Sequence, residues 1–481
     1  MVFPLIFILF FAAMANAGGS QCVTCHEATG SKEAAMFKHD IHAKMGIDCS
    51  GCHGGNPKAE DMEKAMDKNA GFIGVPRGDS ISIVCAKCHA DEAKMKSFGA
   101  TIPTNQWQNL QTSVHGKLSV TGKEHIAQCI TCHSVHNIVS VKDPASPVYP
   151  LNVIKTCTNC HSNAAYMRNY NPSLPVDQLE KYRTSVHGTL NGKDDPKPTA
   201  YTSYHGSHDI RSAKDVKSKV YAVNIPATCS HCHSDSSYMK GYNIPTDQFA
   251  KYSKSVHGIA LLEKHDVGAP ACNSCHGNHG ATPPGVESVS KVCGSCHALN
   301  ADLFSSSPHK KAFDDKNLPE CETCHSNHAI IAATDKLLGV SNEAVCSKCH
   351  SENQNQKGYV VARTMRALTD SLELLQTKAS GLIDEAEQKG MEVSESKFKL
   401  RDAHQSRLQA RTMVHSFNEG KFREVVGKGI GVASLVASEG QQAIDEYYFR
   451  RWGLGVATLI ITIVALALYF SIKRIERKQK N

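Results

Sequence analysis

The chain is poor in the residues that build an ordinary hydrophobic core. Aromatic residues make up 6% of its 481 positions, tryptophan occurs twice, and long apolar runs are few between residues 22 and 350. A region of that length so composed cannot bury enough of its own apolar side chains to hold itself together. Cysteine is abundant, at twenty, yet none is spare, because every one sits in a Cys-x-x-Cys-His motif. No thiol is left for disulfides, a separate zinc site or nucleophilic catalysis. Lys follows none of the Cys pairs, and the methionines keep no register with them.

The motif occurs ten times: Cys22, Cys25 and His26; Cys49, Cys52 and His53; Cys85, Cys88 and His89; Cys129, Cys132 and His133; Cys157, Cys160 and His161; Cys229, Cys232 and His233; Cys272, Cys275 and His276; Cys293, Cys296 and His297; Cys321, Cys324 and His325; Cys346, Cys349 and His350. Two thiols at this spacing can bond to the two vinyl-derived carbons of one haem while the adjacent His reaches the iron from the same side. Structural zinc gives no reason for a His directly after every second Cys. The expectation is ten covalently bound haem c groups with those ten histidines proximal, the macrocycles supplying the buried apolar surface. Their propionates, about twenty negative charges, reverse the formal charge of +7 and leave no basic surface for nucleic acid.

The ends predict a topology. Residues 1–17 are uncharged, largely apolar and close on Ala15-Asn16-Ala17, which reads as a cleaved signal peptide. Residues 452–472 are nearly uninterrupted apolar sequence, long enough to span a hydrocarbon core of about 30 Å. The basic tail 473–481, with Lys473, Arg474, Arg477, Lys478 and Lys480, places the C-terminus in the cytoplasm and the preceding region in the periplasm of a bacterial inner-membrane protein.

Residues 18–356 form the haem-motif domain, built from repeats of about 50–73 residues. The clearest unit runs from a Pro to Ser-Val-His-Gly, at Pro103–Gly116, Pro175–Gly188 and Pro245–Gly258. An extended motif, Cys-x-x-Cys-His-x-x-His, and then a plain motif follow. In the second copy Tyr201 and Tyr204 stand where the two thiols belong, before His205, and the frame is otherwise intact. This is a degenerate haem site that no longer attaches haem covalently, and the tyrosine rings are expected to fill it; the alternative is that His187, His205 and His208 bind a different metal or a loose haem.

Positions recurring in the repeat supply distal ligand candidates: His115, His136, His187, His208, His257, His279, His309 and His328, with His39 and His42 before the second motif. In Cys-His-x-x-His the second His lies about one helical turn from the first, so it should ligate a neighbouring haem. His415, beside Val414 and Phe417, is the candidate from the C-terminal region ahead of His404. Two-His ligation leaves no open iron position and favours low potentials.

Residues 357–450 read as an α-helical stalk, with a heptad stripe over Val361, Met365, Leu368, Leu372, Leu375, Ala379, Leu382 and Ala386. The fold class expected is therefore a multihaem cytochrome c: a mostly irregular, short α-helical haem-packed domain, a long α-helical hairpin, and one C-terminal transmembrane helix.

On its ten motifs, its Ser-Val-His-Gly units and its Cys-His-x-x-His variants, the region 22–350 resembles the membrane-anchored multihaem c-type cytochromes of anaerobic respiration. The segment 359–450 more weakly resembles the C-terminal helices of pentahaem nitrite reductases and octahaem hydroxylamine oxidoreductases. Those families imply a catalytic haem, sometimes on a Cys-x-x-Cys-Lys motif that this chain lacks. The resemblance implies an electron carrier that takes electrons from a quinol-oxidising membrane partner, a b-type cytochrome or iron–sulfur protein, and passes them to periplasmic cytochromes or reductases. The alternative is a reductase of a nitrogen or sulfur oxyanion at one five-coordinate haem, that of Cys22.

Overall fold

A computed structural model describes residues 20–197, 200–284 and 289–480; the expected signal peptide over 1–17 lies outside them. Among the described residues the chain is helical with no strand, and Leu118 and His125 form an isolated bridge. It divides into two compact units. One runs to Ser253 and takes in His257–Pro283, and the other comprises Lys254–Val256 and everything from Pro284. The division falls inside the motif region, so the last three Cys-x-x-Cys-His motifs belong with the long C-terminal helices.

The N-terminal unit is a series of short helices set by the motifs. Cys49–His53, Cys129–His133 and Cys272–His276 are each five residues long. Each is ended by a residue at positive φ: Gly54 at 70°, Ser134 at 72° and Gly277 at 82°, a turn glycine makes at least cost. Tyr201–His205 forms the same five-residue helix and stops at Gly206, φ 81°. Losing both thiols has left the local backbone of the repeat unchanged.

The Ser-Val-His-Gly segments explain themselves residue by residue. The buried Ser113 and Ser185 hydroxyls accept from the backbone N–H of Gly116 and Gly188, capping the turn that carries the His. At Gly188 a Cβ would lie 1.9 Å from the Tyr182 carbonyl oxygen, so only glycine lets the His turn fold back on the preceding helix. The residue before the His then clasps the next repeat. Ile41 N–H donates to the Ile138 carbonyl at 2.7 Å, Val114 to Ile210 at 2.8 Å, and Val186 to Ala281 at 3.1 Å. Each acceptor lies two positions past the extra His of a Cys-His-x-x-His or its degenerate equivalent. Val256 makes the corresponding bond to Ile330, 3.0 Å, within the C-terminal unit.

The C-terminal unit is dominated by helices Gln356–Gln388, Ser394–Met413 and Glu419–Lys480. Two apolar clusters join them, one around Met365, Leu372, Phe422 and Val426, the other around Ala379, Ile383, Val436 and Ile444. The buried stripe of the first helix is Ala362, Met365, Thr369, Leu372, Ala379, Ile383 and Ala386. Four members of the expected heptad stripe are in it, while Val361, Leu368 and Leu382 are only partly buried. The face is rotated because the helix packs against two partners, which need a wider apolar arc than a two-helix seam. The third helix continues without a break through residues 452–472, about 90 Å in all. Its apolar segment, mean hydropathy 2.3 and unburied, is long and apolar enough to be a candidate membrane span.

An ion cluster ties the motif-bearing loops to this bundle. Asp335 accepts from Arg407 at 2.6 Å and from Arg411 at 3.0 Å, Arg366 donates to the Asp335 carbonyl at 2.9 Å, and the Asp335 side chain is 11% exposed. Burial pushes its carboxyl up, but the Arg407 and Arg411 hydrogen bonds outweigh that and hold it below the usual carboxylate range. Asp335→Asn is expected to destabilise the C-terminal unit by about 1–3 kcal/mol. With a depressed folded-state value, the contribution is complete above about pH 4 and is lost as the pH falls through the lower folded value. Denaturant melts of both proteins at pH 7 should therefore differ, and the gap should close on acidification; a difference that persists at acid pH would refute the assignment.

Candidate haem sites

The structure sets histidines against one another across the repeats. In the N-terminal unit His42 faces His89, His53 faces His136, His115 faces His161, His133 faces His208, and His187 faces His233. In the C-terminal unit His309 faces His350 and His325 faces His415. Ring centroids in these seven pairs are 5.8–6.2 Å apart. Other ring pairs spread more widely, from 3.8 Å for His309 and Phe417 to 6.3 Å for Phe304 and Phe417.

That narrow spacing fits iron between the rings. An imidazole nitrogen sits about 2 Å from a ligated transition metal and the ring centroid about 1 Å further back, so two trans imidazoles have centroids about 6 Å apart. Each pair includes one histidine next to a Cys pair, which supplies the thioether side. The hydrogen bonds agree with ligation through Nε2. His53 Nδ1 lies 2.8 Å from the Gly74 carbonyl and His415 Nδ1 lies 3.0 Å from that of Thr412. A carbonyl only accepts, so Nδ1 carries the proton and Nε2 keeps its lone pair. His42 Nδ1 is 2.8 Å from Asp40, a buried carboxylate that also accepts from the Ile138 N–H at 2.7 Å. Burial lowers the basicity of most of these rings, His187 and His309 to about 4, so they are neutral at pH 7 as ligands must be.

The seven pairs fall into two geometric classes. Where the motif is Cys-His-x-x-His or its first-position equivalent, the rings are near parallel: 17° for His53 and His136, 9° for His133 and His208, 26° for His325 and His415. Where the motif is the second in its repeat, they are steeply inclined: 89° for His42 and His89, 59° for His115 and His161, 68° for His187 and His233, 83° for His309 and His350. The Ser-Val-His-Gly histidines His115 and His187 thus meet the plain motif of their own repeat, as His42 and His309 do from the equivalent positions. The extra His of Cys-His-x-x-His meets the first motif of the repeat before, brought there by the backbone clasp.

The remaining predicted residues are placed as follows. His257 and His276 lie on helices Val256–Gly258 and Cys272–His276, His297 precedes helix Ala298–Ser305, and His328 follows helix Glu320–His325. His39 and His404 are exposed and join no ring pair among the described residues, nor does the exposed His26. Among the described residues no three His, Cys, Asp or Glu side chains gather as a metal cluster. The sequence reading missed the clasp carbonyls and Asp40. A carbonyl leaves no side-chain signature, and Asp40 occupies the place of the Ser in Ser-Val-His-Gly.

Comparison with known proteins agrees with this geometry. Residues 41–162 match the family Cytochrome c3, and residues 292–372 match the family Cytochrome c554 and c-prime. The chain is 28% identical over 160 residues to the cytochrome c-type protein NrfB of Escherichia coli O6:H1, covering 32% of this chain and 72% of that one. No solved structure matches it. The chain is a multihaem c-type cytochrome, carrying covalently bound haem c and moving electrons.

Proposed function

We propose that the protein is an inner-membrane-anchored decahaem electron carrier of anaerobic respiration. Its motif-bearing region faces the periplasm, takes electrons from a quinol-oxidising membrane partner and delivers them to periplasmic cytochromes or a terminal reductase. The observation that carries this reading is the opposition of seven motif histidines by a second histidine at 5.8–6.2 Å. With a histidine from each side to hold the iron, haem bound here would supply one-electron transfer and leave no position open for a substrate.

The chain's own residues do the rest. Each clasp ties the turn of one distal histidine to that of another, His42 to His136 and His115 to His208, and the buried neutral rings would keep water from competing for the iron. Motif sulfurs follow one another in chain order. The Cys85 sulfur lies beside that of Cys129, Cys52 lies near Cys88, and Cys132 lies near Cys160. That succession supports a continuous path for charge. The cationic tail after residue 472 supports a cytoplasmic C-terminus.

One observation favours the second reading. His26 is exposed and has no facing ring among the described residues, which suits a five-coordinate site for a small nitrogen or sulfur oxyanion. Electron paramagnetic resonance of the oxidised protein separates the two. The carrier reading expects two sets of low-spin signals, because parallel axial imidazoles split the iron d orbitals unequally and perpendicular ones leave them nearly degenerate. It allows carbon monoxide on about one haem in ten at most. A high-spin signal that moves on adding nitrite or hydroxylamine would transfer the assignment to the enzyme, and carbon monoxide uptake by several haems would end the carrier reading.

A further inference from the structure

We infer that the degenerate site in the second repeat still binds a haem, held without thioether bonds between His205 and His279 as an eleventh, extractable group. The inference rests on the two-His reading of the covalent sites and extends it to a position with no cysteine.

His205 and His279 have ring centroids 6.0 Å apart and planes inclined by 17°. Both values lie inside the near-parallel class made by His53 with His136, His133 with His208 and His325 with His415. His279 stands at the extra-His position of the following repeat, and the Val186 clasp to Ala281 holds it there as Ile138 and Ile210 hold their neighbours. A site released from selection has no reason to keep helix, glycine turn, clasp and ring spacing together.

Neither tyrosine closes the slot. A ring wedged midway would lie about 3 Å from each imidazole, half the separation observed. Tyr201 instead lies 5.9 Å from His279 with its plane at 89°, and 5.3 Å from Tyr182. Tyr204 turns its hydroxyl to His187 Nδ1 at 2.9 Å. The Tyr201 hydroxyl is buried with no hydrogen-bond partner among the described residues, a donor that a haem carboxylate or a bound water would satisfy.

The ligand set selects haem over a bare metal ion. No three His, Cys, Asp or Glu side chains converge among the described residues. An ion between two opposed imidazoles would therefore need its equatorial ligands from elsewhere, and a porphyrin supplies four. Position also argues for it. The first cysteine of a second motif meets the first cysteine of the next repeat, as Cys85 meets Cys129, Cys229 meets Cys272 and, in the C-terminal unit, Cys293 meets Cys321. Tyr201 lies near Cys157 in that same register. A haem here fills the one place in the succession where the sulfurs are missing.

The test uses the full-length protein in detergent. Acidified acetone removes haem held only by iron and leaves thioether-bound haem on the polypeptide, and the denatured mass independently counts the covalent groups. One extractable haem per chain is expected, or one equivalent taken up when haemin is added to material that has lost it. His205→Ala and His279→Ala should abolish that haem and leave the covalent count unchanged, while the control His39→Ala should retain it. The double variant Y201C/Y204C restores Cys-x-x-Cys-His and should convert the extractable haem into one more covalent haem in the denatured mass. Wild-type protein with no extractable haem and no haemin uptake overturns the inference, as does extractable haem that survives both histidine variants. A covalent count below ten in wild type would overturn the decahaem reading without touching this one.

Discussion

Produced without haem attachment, the protein is expected to lose all cooperative structure in residues 20–284 while residues 356–450 stay helical. The two regions hold themselves together by different means. Both contiguous apolar clusters belong to the C-terminal helices, where Leu372, Ile383, Phe422, Val426 and Val436 are fully shielded from water. In the N-terminal unit the buried apolar residues are few and scattered, among them Met95, Val153, Met167, Tyr182, Met239 and Leu261, and much of the rest of its buried set is polar, such as Asp40, Ser82, Ser146 and Ser185. Capped turns and backbone clasps are worth about 1 kcal/mol each, too little to offset chain entropy without a core. Haem would supply that core, with its iron joining histidines from different repeats. Expression without the haem-attachment machinery, followed by thermal circular dichroism and limited proteolysis, checks this. A helical fragment should survive from the C-terminal end, with proteolysis spread through the motifs. A cooperative melt of the N-terminal unit in the haem-free protein would show that side chains alone sustain it.

This asymmetry separates what was legible in the sequence from what was not. Covalent chemistry has strict spacing, so all ten motifs and the degenerate frame at Tyr201, Tyr204 and His205 can be read directly. Helical periodicity over residues 356–388 is equally plain, and so are the apolar stretch at 452–472 and the helical class as a whole. The identity of each histidine's partner is not plain. His136 is set opposite His53 and His208 opposite His133 by bonds between one residue's N–H and a carbonyl far along the chain, and such bonds leave no mark on residue type. Ser134 and Ser326 take positive φ where glycine stands in other repeats, so the turn after the motif carries no uniform signature either. The boundary between units was hidden for a related reason. It depends on which motifs the long helices contact, and the Asp335 cluster with Arg407 and Arg411 brings together residues more than seventy positions apart.

Replacing His415 by Ala should convert about one haem in ten from low to high spin and let it bind carbon monoxide after reduction. His415 lies on the turn Val414–Ser416 that ends the helix Ser394–Met413, and its ring stands 6.1 Å from His325 at 26°. It is the one paired histidine contributed by the helical bundle rather than by a motif or its repeat frame. Phe417, in the left-handed region at φ 46°, fixes the turn and packs against His309 with ring centroids 3.8 Å apart and planes tilted by 43°, so a second pair is steadied by the same few residues. Removing the imidazole leaves His325 and both thioethers in place. The haem count by mass should therefore stay constant while the spin state changes, and the cavity should cost about 1–3 kcal/mol. His404→Ala, at an exposed position of the same helix, should change neither. If His415→Ala left the spectrum untouched, the sixth ligand of that iron would come from elsewhere. A new high-spin signal would instead identify the bundle as a ligand donor, tying the haem at His325 to the helices that run on into the apolar segment at 452–472.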